Sequence, residues 1–238
     1  ANIESTTASD GFAMVDSDFY GGETGGNEIE DSWIETANAI DLSSYSNVVL
    51  EFETYYRRYN YERCYVVVST DGTWPDLTPD TDISGMNNVW EVFPDIGDTE
   101  ATPSNSDLRR INITSAAGGQ ANVKFRFHWT GTWGYAWFVD DVKIVEQPAN
   151  DLVANSGYIS HTGNGEEYGS IPASQLPTAW AVGGEFYNFG YEDQTNVVAT
   201  YDVMDSGSNS VICATSAYPR ANSGSTYSRD ETASPSSP

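Results

Sequence analysis

Two stretches alternate apolar and polar residues too strictly to be anything but half-buried strands. In "VVLEFETYYR" (48–57), Leu50, Phe52 and Thr54 fall on one side, leaving Tyr55, Arg57 and the nearby Tyr59 on the other. In "NVKFRFHW" (122–129), Val123, Phe125, Phe127 and Trp129 alternate with Lys124, Arg126 and His128. A period of two belongs to strands, and no stretch sustains the 3.6-residue period of an amphipathic helix. Many short apolar runs punctuated by 21 Gly and 10 Pro extend this to an all-β architecture.

The same pattern marks several further strands. "SWIETANAI" and "ERCYVVVSTDGTW" are two, the latter closing on an Asp71-Gly72 turn. "NVWEVFPDI" is an edge segment broken by Pro94, and "DLRRINITSAAGG" leads to the Gly118-Gly119 break. The last is "WGYAWFVDDVKIVEQP", ending in a linker around Pro148. Long polar connections between short strands predict a jelly-roll β-sandwich over 1–147. From 148 to 205, "DLVANSGYIS", "AWAVGGEFYNFG" and "QTNVVATYDVM" predict a smaller, incomplete Ig-like sandwich. Residues 206–238, ending in Ser/Pro repeats, are expected to be an irregular tail.

The charge excludes whole classes of partner. With 35 acidic against 10 basic residues the formal charge is −25, which repels nucleic acid and anionic membranes. No run of roughly 20 apolar residues is present to insert in a membrane. Cys64 and Cys213 fall in different predicted domains and are expected to be free thiols. Asn112 opens an Asn-Ile-Thr sequon, which matters only in a host that glycosylates.

Asp140 poses the chemical question. Unbroken alternation puts it with Phe138, Val142 and Ile144 on an apolar face, while Asp141 lies with Lys143. A buried carboxylate needs a proton, a cationic partner or a metal, or else it marks the end of the strand. Asp16 and Asp18 in "MVDSDF" share a face by their spacing, and they converge with Asp140 if first and last strands meet. Asp31 and Asn27 could add oxygens. Two distant histidines and no cysteine cluster argue against zinc.

The order "DGFAMVDSDF", "SWIETANAIDLSSYSNVVLEFETYYR", "CYVVVSTDGTW", "WFVDDVKI" resembles the MAM-like and cleaved-adhesin jelly rolls of secreted Bacteroidetes proteins, over roughly 10–145. "NDLVANSGYIS" through "NVVATYDV" resembles the start of a CARDB-like Ig module. The resemblance implies a secreted or cell-surface, non-catalytic, calcium-stabilised module within a larger multidomain chain. In related jelly rolls a last-strand aspartate holds calcium against the N-terminal segment, and Asp140 is the matching position.

The remaining candidates form a binding surface: Tyr55, Arg57, Tyr59, Arg126, His128, Trp133 and Tyr135. Exposed rings among placed polar groups suit a glycan or a cell-surface protein. The plainer expectation is that Lys124 and Arg126 pair across strands with Glu51 and Glu53. Catalysis has no evident constellation, since His128 and His161 lie in different predicted domains and Cys64 sits mid-strand. A glycan-active carboxylate pair and a ligand-free spacer are the alternatives.

Overall fold

The computed structural model describes residues 2–20, 30–75, 82–131, 134–160, 180–204, 211–221, 224 and 226–233. The chain divides into two compact units, Ala1–Gln147 and Pro148–Pro238. Among the described residues no helix is long and apolar enough to cross a membrane.

Among its described residues the first unit contains eight strands: β1 (Ala13–Asp16), β2 (Glu30–Glu35), β3 (Val48–Arg57), β4 (Arg63–Ser69), β5 (Val89–Glu91), β6 (Asp107–Asn112), β7 (Lys124–Gly131) and β8 (Ala136–Glu146). Two single-turn helices, α1 (Ser17–Tyr20) and α2 (Thr114–Ala117), interrupt the connections. One antiparallel sheet has the order β1-β8-β3-β6 and the other β2-β7-β4-β5. Successive strands cross from sheet to sheet except at the β4–β5 hairpin, which makes the sandwich a jelly roll.

The alternation of β3 and β7 builds the core. Leu50, Phe52 and Tyr56 from one sheet meet Phe125, Phe127 and Trp129 from the other, with Trp137 and Val139 of β8 between them. Phe52 and Phe127 touch edge-to-face at 4.8 Å across the sheets. Thr54 is equally buried, but its hydroxyl donates to Phe138 O and accepts from Trp137 Nε1, so no polar atom there goes unpaired.

Because β3 and β7 belong to opposite sheets, the expected ladder between Lys124, Arg126, Glu51 and Glu53 does not form. Arg126 pairs with Glu35 at 2.6 Å on neighbouring β2, and Glu51 takes Arg110 and Lys143 within its own sheet. Lys124 Nζ donates to Ala37 O.

In the second unit β9 (Leu152–Ser160), β10 (Trp180–Asn188) and β13 (Thr226–Ala233) form one sheet, and β11 (Gln194–Met204) pairs with β12 (Val211–Ala221). This corrects the expectation of an irregular tail. Two strands lie within 206–238, the polar "TYSRDETA" being recruited by its neighbour in register from Tyr187↔Thr226 to Trp180↔Ala233. Strand pairing satisfies the backbone whatever the side chains' polarity, so a polar composition did not exclude it.

Candidate binding surface at the loop end of the sandwich

The first and last strands do meet, but not as the expected calcium site requires. In the β1–β8 pair Asp16 lies opposite Ala136, four residues along β8 from Asp140, or about 13 Å. Asp18 lies on α1, and the placement of its side chain and of Asn27 falls outside the described residues. Among the described residues no three His, Cys, Asp or Glu side chains gather as a metal needs. Asp16 and Asp140 are therefore held apart along β8.

Asp140 is not on the core face at all. Asp141 has φ +49°, and the β3–β8 register shifts between Glu51 and Glu53, the mark of a β-bulge. Trp137 and Val139 face inward, Phe138 and Asp140 face outward, and Val142 beyond the bulge is 41% exposed. The extra residue resets the alternation that the unbroken pattern presumed. An aspartate is among the few residues that adopt left-handed backbone without great strain.

Outward on this sheet, three carboxylates instead hold the N-terminal segment. Ser5 Oγ donates to Asp140 Oδ2 at 2.5 Å, and Thr7 donates its amide and hydroxyl to Asp141. Thr6 donates its amide and hydroxyl to Glu53, which also accepts from Ser106 Oγ. These bonds, Ser106 first, hold the Glu53 carboxyl below its usual range. The named oxygens thus accept O–H and N–H donors of residues 5–7 and Ser106.

The binding candidates divide between two places. Arg57 ends β3 opposite Ala136, where residues 17–20, 58–62 and 134–135 come together. Its guanidinium lies 4.6 Å over the Tyr135 ring, and Tyr59 meets the same ring edge-on at 5.0 Å. Tyr59 is 44% exposed, Tyr61 68% and Phe19 77%. Ser17 N donates to Tyr135 O, tying α1 to the same loop. Tyr55 lies one step inward on the same face, half-buried against Phe138 at 6.0 Å. Trp133 lies outside the described residues.

Arg126 and His128 lie away from this cluster, on the outer face of the β7 sheet. Arg126 is stacked between Trp33 and Trp74, at 4.7 and 3.9 Å from the ring centroids. His128 points outward as expected, but it is fully buried beneath Trp33 and cannot offer itself to a ligand. Its Nε2 donates to Asp31 Oδ1 at 2.5 Å, while Nδ1 has no hydrogen-bond partner among the described residues. Burial lowers its pKa, against the opposing pull of Asp31. Asp31 thus serves this histidine.

Glu62, Tyr61 and Phe19 went unremarked in the sequence. Glu62 is fully buried at the root of the 58–62 loop, and burial pushes its carboxyl pKa up. The tyrosine spacing in "YNYERCY" was the available signal for an aromatic loop. Cys64 is a buried thiol whose pKa is likewise raised by burial, a poor nucleophile.

No protein-family model matches the chain, and no curated protein sequence matches it. Among solved structures, the glycoside hydrolase domain of Endo-D from Streptococcus pneumoniae R6 is similar at 11% identity with a TM-score of 0.27. That match takes in 94% of this chain and 37% of the other, and at such a score it carries no argument.

Proposed function

We propose that residues 1–147 are a non-catalytic, extracellular binding module that receives a glycan on Arg57, Tyr59 and Tyr135, within a larger secreted or cell-surface chain. The observation that carries this is the Arg57–Tyr135–Tyr59 cluster, where rings and a cation are gathered at a loop end instead of the core. Sugar rings present apolar C–H faces that stack on aromatics, and an arginine fixes hydroxyls or carboxylates at their rim. The charge of −25 favours a neutral partner over a polyanion. A non-catalytic reading is supported by the burial of His128 and Cys64.

An oligosaccharide array tests it. Wild-type chain should bind a subset of glycans, and Tyr59→Ala or Tyr135→Ala should each weaken that binding about tenfold or more, equivalent to about 1.4 kcal/mol per decade. Equal binding by both variants removes this surface. Absence of binding by the wild type leaves the spacer role, and turnover lost with a single carboxylate would make the module an enzyme.

A further inference from the structure

A glycan surface built from two loops needs something to hold the loops in register. Glu62 lies where they meet. Both its carboxylate oxygens accept backbone N–H groups of the first loop, Oε1 from Tyr59 and Oε2 from Asn60 at 2.7 Å. Its own carbonyl accepts from Tyr56 Oη and Arg63 Nη1.

The second loop lies directly on it. A Cβ on Gly131, where φ is +144°, would come within 2.5 Å of Glu62 Cα. A Cβ on Gly134 would meet the Trp129 ring at 2.5 Å and Glu62 Cδ at 3.1 Å. Only glycine permits such an approach, and Tyr135 comes directly after the second of them. On the far side of Trp129, its indole N–H donates to Glu30 at 2.9 Å.

We infer that Glu62 is the positioning residue of the glycan surface, its buried carboxylate locking loop 58–62 beneath Gly131, Gly134 and Tyr135 so that Tyr59 stands against Tyr135. The inference rests on the glycan reading above. A carboxylate suits the task because it is acceptor-only and takes two converging amides at once. A glutamine would turn an NH2 group against one of them.

Protonation would do the same, which supplies a distinctive signature. The charged and titratable groups facing Glu62 are Arg58, Arg63, Tyr56 and Cys64, with Glu91 behind Arg63. Burial outweighs the amides and Arg58, so the carboxyl protonates above the usual carboxylate range. A group whose folded pKa is raised adds stability as pH falls through that value. Acidification therefore relieves the cost of burying Glu62 while loosening the loop it holds, and stability and binding move in opposite directions. A residue that served only folding would move them together.

The test compares wild type, Glu62→Gln and Tyr59→Ala in the full chain. In Glu62→Gln the Tyr59 and Asn60 amides should exchange about tenfold faster or more, and the Tyr59–Tyr135 ring contact should vanish from NMR spectra while the Phe52–Phe127 contact persists. The wild type should show the same two changes on acidification, so the titration stands even if the variant does not fold. Unchanged amides and an intact ring contact in both experiments overturn the inference. On the oligosaccharide array, a wild type that binds beside a Glu62→Gln variant that binds equally well also overturns it. A wild type that binds nothing overturns the glycan reading, with the NMR outcome still deciding what Glu62 positions.

Discussion

The two outer faces of the sandwich are covered by opposite means. On the β3 sheet, residues 5–7 are fastened by hydroxyl and amide bonds to Glu53, Asp140 and Asp141, all within reach of water. On the β7 sheet, Tyr65, Val67, Ile83 and Val89 form a second apolar cluster, with Trp74 against it and Arg126 stacked between Trp74 and Trp33. The first cover is polar and replaceable by water, the second is apolar and is not. Hydrogen bonds near solvent contribute little net stability, whereas emptied apolar volume is costly.

Breaking the apolar cover should therefore cost most. Tyr65→Ala is expected to destabilise the unit by about 3 kcal/mol in denaturant unfolding, since it empties a fully buried site. Glu53→Ala should cost about 1 kcal/mol, because Thr6 and Ser106 then turn to water. A Glu53 variant as damaging as the Tyr65 one would erase the distinction between the covers.

Acid should separate the faces by pH window. His128 has a lowered folded pKa, so its stabilising contribution is lost as pH falls below the unfolded value of 6.5. Glu53 is also lowered, but as an acid it begins to lose its contribution only below its ordinary value of 4.5. Because Glu62 gains stability in the same range, the readout is the difference between wild type and His128→Phe, which keeps a ring under Trp33: the wild type should lose melting temperature relative to the variant as pH falls below 6.5. Parallel curves between 6.5 and 4.5 would place His128 outside the linkage. The smallest effect expected is that of chelator, which should leave the melting temperature unchanged. A fall of several degrees in EDTA would mean that a cation displaces the hydroxyl donors at the clamp.

Strand content and core were readable because alternation is local: Phe52, Phe125 and Phe127 are inward by pattern and inward in the fold. Sheet membership was not, since a jelly roll separates β3 from β7 through crossovers that leave no mark on either strand. Asp140 shows how one residue defeats a pattern. The bulge at Asp141 reverses the facing of Val142 and the rest of β8, and two adjacent aspartates are compatible with either geometry. His128 was read correctly as outward, but its cover comes from Trp33, a neighbour only through strand register. Arg57, Tyr59 and Tyr135 could be gathered as candidates by residue type, whereas Glu62 acquires its part only when the distant Gly131 and Gly134 overlie its own loop.

The clamp on residues 5–7 also sets a timetable for synthesis. These residues are made well before β8, yet Ser5 and Thr7 bond to partners more than a hundred positions later, and among the described strands β1 pairs only with β8. Until β8 emerges, β1 lacks its strand partner and β3 lacks the strand on its β8 side. The unit must close end to end in one late event, with long-range contacts formed against loop entropy. A nascent chain halted before residue 136 would display the apolar row of β3 to chaperones and proteases alike.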